Sequence, residues 1–238
     1  MRRLEGTREL LDGPLDDAVA LAGNLRDLRR ANRLLGGARL SRAALEVLAG
    51  RIADRGAEIS LIDVGTGAGD IPVSLLADWQ RRGRRLSVTA VDDREEVVAA
   101  ARATDPRLDG LARLTLAVAD GRALPFPDAA FDVAHASLVL HHLDAVDAAA
   151  FLRELRRVSR RGVIVNDLAR GRLLLAGAWL LAHVTTRNRL TRNDAPLSVR
   201  RAYTAVEAEA LLIAAGLRPV VRTYGVFRHR YAIAAVPL

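Results

Sequence analysis

The 238-residue chain contains neither cysteine nor lysine. Without cysteine it forms no disulfide and offers no thiolate to a metal ion. Its five histidines show no metal-ligand spacing with carboxylates, so no metal is expected. Aromatic residues make up 4% of the chain, too few for a platform on which bases stack. No run reaches the roughly 18 uninterrupted apolar residues of a spanning helix. The nearest case, Leu173 to Val184, is shorter and reads as a buried helix or one beneath a lid. The start, Met1-Arg2-Arg3-Leu4-Glu5-Gly6, lacks the apolar core of a signal segment. A cytoplasmic protein with no membrane partner is expected.

With lysine missing, the net charge of +8 rests on arginine. A positive balance raises the question of nucleic acid. The arginines are spread along the chain, often as pairs on predicted helix faces, so no nucleic-acid partner is expected. Arginine in place of lysine fits genomic base composition or selection for heat resistance. The hydrophobic share is 50%, and the length accommodates one α/β domain with a full core.

Residues 1–57 have the pattern of helices. One runs from about Leu15 to Leu35 and stops at Gly36-Gly37; a second, with Ser41 as N-cap, runs to Ala53. From Ile59 onward, strands and helices alternate, which predicts a parallel sheet covered on both faces. Residues Arg170 to Asp194 interrupt the alternation with an apolar helix and an arginine-rich turn. A helix from Ala205 to Ala215 stops at Gly216, and two strand-like runs follow, Arg218 to Thr223 and Arg230 to Val236.

The most informative stretch is Leu61-Ile62-Asp63-Val64-Gly65-Thr66-Gly67-Ala68-Gly69-Asp70. An apolar run ends in an acid, and three glycines follow at alternate positions, ahead of a predicted helix from Ile71 to Gln80. Strand, glycine loop and helix N-terminus make a nucleotide-shaped pocket. The spacing is not the dinucleotide G-x-G-x-x-G, because Asp70 stands where the third glycine belongs. A carboxylate there repels a pyrophosphate. Asp63 and Asp70 around the loop instead suit a ligand with a cationic end. S-adenosylmethionine (SAM), with its sulfonium and ammonium groups, is such a ligand. The next strand, Leu86 to Val91, is followed by Asp92-Asp93. Asp92 is placed to accept from both ribose hydroxyls, while Asp93 caps the following helix.

The pattern D-x-G-x-G-x-G resembles motif I of the class I SAM-dependent methyltransferases, and the resemblance extends from about Ile59 to Val236. It implies a Rossmann-like seven-stranded, mostly parallel sheet with an antiparallel C-terminal hairpin, in one domain. A helical cap over 1–57 and a lid insertion over 170–201 would complete it. It implies SAM as cofactor, contacted by Asp63, Gly65, Thr66, Gly67, Asp70, Asp92 and Asp93. Asp120-Gly121 ends the third strand, and in the family the acid there faces the adenine amino group. Ser137-Leu138-Val139-Leu140-His141-His142-Leu143-Asp144 looks like motif IV of the small-molecule branch, which adds Ser137 to the cofactor residues. Segments 24–37 and 187–194 are similar to bacterial methyltransferases found beside type III polyketide synthases. One departure is Arg160-Arg161-Gly162, where many relatives have a Pro-Gly-Gly turn.

An alcohol or phenol acceptor benefits from a base of near-neutral pKa, and histidine supplies one. His141 and His142 follow the fourth strand, with His141 nearer the strand end; Asp167 ends the fifth and is expected to orient one imidazole. The alternative is that one histidine packs under the lid and the other caps a helix. Arg192 and Arg201, in the arginine-rich segment, are the candidates for holding an acidic substrate. Leu175 and Trp179 are candidates for an apolar substrate wall. The expected activity is methyl transfer to a small-molecule acceptor, by O-methylation of a phenolic or polyketide-like compound. C-methylation of a quinone ring and a non-catalytic SAM-binding protein are the alternatives. A homodimer is a possible assembly.

Overall fold

The central apolar segments pair side by side because they are too apolar to leave either face in water. In the computed structural model, which describes residues 1–51 and 57–238, two helices come first: α1 (Ala18–Leu34) and α2 (Gly37–Ala49). The alternation follows as β1 (Ile59–Val64), α3 (Asp70–Arg81), β2 (Leu86–Asp92), α4 (Glu95–Thr104), β3 (Leu114–Val118), β4 (Phe131–Ser137), α5 (Ala145–Val158) and β5 (Ser159–Leu168). Two further helices, α6 (Arg172–Thr185) and α7 (Arg189–Arg201), precede α8 (Ala205–Ala214), β6 (Leu217–Tyr224) and β7 (Arg230–Pro237).

The seven strands have the order β3-β2-β1-β4-β5-β7-β6. The first five in that order run parallel, and β7 pairs antiparallel with both β5 and β6. Two apolar clusters form, one on each face of the sheet. Leu61 packs with α1 to α4, while Ile62 and Val64 pack with α5 and α8. The strand order reverses between β1 and β4, and the crevice above that point is where this sheet type binds ligands.

Four local expectations need correction. The second helix starts at Gly37 rather than being capped by Ser41, because Gly36, at φ +81°, turns the chain there. Ser41 lies inside the helix and is fully buried; the expected end at Ala53 falls outside the described residues. Arg160-Arg161-Gly162 is strand β5 rather than a turn. A Cβ on Gly162 would collide with the Ala235 carbonyl oxygen, so the glycine permits close approach of β7. The arginine-rich segment is a helix, α7, because Asn188 Oδ1 accepts from the Leu190 and Thr191 amides at 2.9 and 3.2 Å. Finally, α6 is not buried: Ala182 is its one fully buried residue. No described helix is long and apolar enough to cross a membrane.

Candidate active site

Above the switch point lies a cavity of about 1190 Å³. Its floor is the loop after β1 with the ends of β2 and β4; α1, α6 and α7 cover it. The loop is held against β2, since the Gly65 and Thr66 amides donate to Val91 O at 2.8 and 2.9 Å. Gly67 sits at φ +52°, and a Cβ there would meet nothing within 4 Å. Its requirement is conformational, and the open side leaves space for a ligand against bare backbone. Thr66 Oγ1 is buried with no hydrogen-bond partner among the described residues, a polar atom open to a ligand at the same loop.

The three acids at the loop have different settings. Asp92 Oδ2 accepts from the Gly67 amide at 2.9 Å and Oδ1 from the Arg94 amide at 3.3 Å. Burial pushes Asp92 up to about 6 despite those bonds. Arg94, not Asp93, is the N-cap of α4 and makes no side-chain cap, so Asp92 takes the turn-closing role expected of Asp93. Asp93 is exposed at the cavity rim. Asp70 opens α3 and is also raised to about 6 by burial, against the pull of Asn32, Arg29 and Arg230. Asp63 also lines the cavity and is tied to the neighbouring strand, with His135 Nδ1 2.5 Å from its Oδ1.

That contact belongs to a chain of buried polar groups. With Nδ1–H donated to Asp63, His135 Nε2 accepts from Ser41 Oγ at 2.7 Å. Ser41 Oγ in turn accepts from Asn166 Nδ2, also at 2.7 Å. Arg230 donates to Asn166 Oδ1 (2.5 Å), Asn32 Oδ1 (2.6 Å) and Ser137 Oγ (2.6 Å). Asn32 Nδ2 completes the path by donating to Asp70 Oδ1 at 3.3 Å. Arg230 thus places one buried positive charge among Asp70 and Asp167; burial pulls its own pKa down to about 10. Sequence reasoning missed Asn32, Ser41, His135, Asn166 and Arg230. The signal was there at His135, an imidazole set between Ala134 and Ala136 in the buried part of β4.

The two histidines sit side by side, ring centroids 4.3 Å apart. His141 is buried, and its Nδ1 lies 2.6 Å from Asp167 Oδ1. Burial pushes Asp167 up, but His141, the Leu168 amide and Arg230 outweigh it and hold the carboxyl below its usual range. His142 instead uses Asp12, with Nδ1 2.7 Å from Oδ1. Burial opposes a charge on His142, yet Glu9, Asp12 and Asp167 together push it up to about 9. Glu9 and Asp12 come from the chain start, and nothing local marked them.

Glu9 closes the group. Its Oε1 is buried without a hydrogen-bond partner, 3.6 Å from His141 Nε2. Glu9 and the two histidines hold three metal-capable atoms within 4.8 Å of one another, so they have the donor set for a divalent cation. The Arg201 Nε, 4.0 Å from Glu9 Oε1, already supplies positive charge there.

The arginines named from sequence lie apart from the cavity surface. Arg201 is buried and donates to the carbonyls of Thr7, His141 and His142. It positions the histidine turn. Arg192 donates to Thr186 O at 2.7 Å and His183 O at 3.1 Å, tying down the end of α6. Asp120 lines the cavity rim, half exposed and paired with Arg122 at 3.3 Å; Gly121 beside it packs on Phe151. On α6, the cavity wall is Leu173, Leu174, Gly177, Ala178, Leu181 and Ala182; Trp179 and Leu175 are on the other side.

Residues 62–165 match the family described as Methyltransferase domain. A ubiquinone/menaquinone biosynthesis C-methyltransferase of Rickettsia bellii is 31% identical over 99 residues, 42% of this chain and 39% of the relative. The match therefore spans about two fifths of the length of these curated relatives. Among solved structures, human N-acetylserotonin methyltransferase in complex with SAM superposes with a TM-score of 0.67 at 16% identity, covering 97% of this chain and 63% of that one. An O-methyltransferase family 2 protein of Planctomyces limnophilus, in complex with apigenin, gives 0.65 at 19% identity, covering 94% and 62%. The chain therefore has the fold of these solved methyltransferases, and its residues 62–165 match the methyltransferase domain model.

Proposed function

We propose that this chain transfers a methyl group from SAM to the hydroxyl oxygen of a small phenolic or polyketide-like acceptor. The observation that carries this reading is His141, on the wall of the cavity that also holds the glycine loop, backed at 2.6 Å by the buried Asp167.

The residues at the loop fit SAM. Gly67 offers open backbone, Thr66 Oγ1 is unpartnered, and Asp63, Asp70 and Asp92 bring carboxylates to the cavity. In this reading Asp92 accepts from the ribose hydroxyls, and the Asp70 side meets the ammonium group. When bound, SAM supplies a methyl group already activated on a sulfonium.

The chain's own contribution is position and proton removal. A carboxylate on Nδ1 leaves the His141 Nε2 lone pair for the acceptor hydroxyl. Nε2 would take the acceptor proton as the acceptor oxygen is methylated, with bound SAM as the methyl donor. His142, raised to about 9, carries its proton at neutral pH and stabilises an acceptor oxyanion rather than acting as base.

A second reading is C-methylation of a quinol ring, favoured by the curated relatives named as C-methyltransferases. There His141 would take the ring proton after the C–C bond forms. Incubation of the chain with trideuteromethyl SAM and a panel of alkyl phenols, hydroxypyrones and quinols separates the readings. A deuterated methoxy product is expected. A deuterated ring methyl supports the second reading, and no product with any acceptor, despite SAM binding, rejects both.

A further inference from the structure

The helix α6 is apolar around its whole circumference. One stripe, Leu173, Leu174, Gly177, Ala178, Leu181 and Ala182, lines the cavity. The opposite stripe faces water: Trp179 is 52% exposed, Leu180 57% and Val184 74%. At the cavity edge Leu173 of the first stripe is itself 88% exposed, and one further apolar side chain, Phe227, is 91% exposed. A helix apolar on all sides is ordinarily buried, and contiguous apolar surface around a cavity marks an interaction site.

The surrounding charge says which partner fits. From Leu168 to Asn193 the chain has five arginines and no acid. Arg172 and Arg187, at the two ends of α6, are exposed and pair with no carboxylate among the described residues. Arg228, next to Phe227, stacks on Tyr224 and pairs with no acid among the described residues. Self-association through this face would set arginine against arginine, which an isologous contact cannot avoid. An anionic lipid surface accepts both features. Apolar side chains with a tryptophan enter the headgroup boundary, and arginines beside them meet lipid phosphates.

We propose that α6 and Phe227 seat the chain on an anionic lipid surface. The contact is peripheral: among the described residues no helix is long and apolar enough to cross a membrane. It turns one wall of the cavity toward the bilayer. If the methyl-transfer reading holds, apolar acceptors enter from the lipid; the docking itself does not depend on that reading.

The test uses the full chain without SAM or acceptor. Of the two tryptophans, Trp79 is 1% exposed and already in the core, so an emission change reports Trp179. Vesicles of phosphatidylglycerol with phosphatidylcholine are expected to shift Trp179 emission to the blue and to co-sediment the protein, less so as salt rises. Vesicles of phosphatidylcholine alone are expected to do neither. Leu180→Asp and Val184→Asp, at exposed positions, are expected to lower the partition coefficient about tenfold each with unchanged melting temperature. Failure to bind either vesicle, or equal binding to both, overturns the proposal. So does a dimer that Val184→Asp dissociates, which would assign the face to a second copy of the chain.

Discussion

The His141 ring and the Asp167 carboxylate are joined twice. Oδ1 lies 2.6 Å from Nδ1, and Oδ2 accepts from the His141 backbone amide at 3.1 Å. Two contacts to one residue fix both the tautomer and the direction of the ring. A carboxylate on Nδ1 turns Nε2 toward Glu9 and the cavity.

Replacing His141 by alanine is expected to lower the methyl-transfer rate about 10²- to 10⁴-fold, the usual loss of a general base. The affinity for SAM should stay nearly unchanged. Asp167→Asn should lower the rate less. Single-turnover kinetics with calorimetry of SAM binding measures both. Wild-type turnover in His141→Ala would make the pair structural.

His142 has the opposite task, and its pH dependence runs the other way. Its pKa is raised in the fold to about 9 from 6.5. Its contribution to stability is therefore present below the unfolded value and is lost as pH climbs through about 9. The wild-type melting temperature should fall across that window more steeply than that of His142→Gln. Parallel melting curves for the two proteins would show that the charge does not stabilise the fold.

For Asp92, the carboxylate already accepts from Gly67 and Arg94, so the same group holds the loop and faces the cavity. Asp92→Ala should raise the SAM dissociation constant roughly tenfold to a hundredfold, as for a lost hydrogen bond to a charged group. Because Asp70 and Asp92 are both raised to about 6, SAM affinity should drop as pH falls below that value. Isothermal titration on either side of pH 6 checks the direction.

Arg230 donates to the buried Asn166 and Asn32 and to the half-buried Ser137. Arg230→Met fills similar space but strands those acceptors and removes the charge opposite Asp70 and Asp167. Breaking such a buried arrangement typically costs about 3–5 kcal/mol, or a melting point lower by roughly 10 °C in a domain this large. Calorimetry that finds no change would mean Asp70 and Asp167 are neutralised by other means.

The amino-acid sequence by itself determined the sheet and the loop. Period-two apolar runs and period-3.6 helices are local patterns, and they yielded the alternation, the glycine turn at Gly65 to Gly69 and the acids at strand ends. It also brought His141 and Asp167 into view, since each lies just beyond a legible strand. Tertiary packing decided what depends on distant partners. Ser41 meets His135 across 94 residues and His135 meets Asp63 across 72, so no local spacing could reveal the link. Glu9 and Asp12 enter the site only because the chain start is drawn over it, held by Asp194, whose carboxylate accepts from the Leu10 and Leu11 amides. Helix phase sent Arg192 and Arg201 to backbone carbonyls, away from the cavity. In α6 the apolar run reads as buried, because composition records how well a helix could be covered. How much of its circumference the rest of the chain covers is settled by packing, and here it left Trp179, Leu180 and Val184 in water.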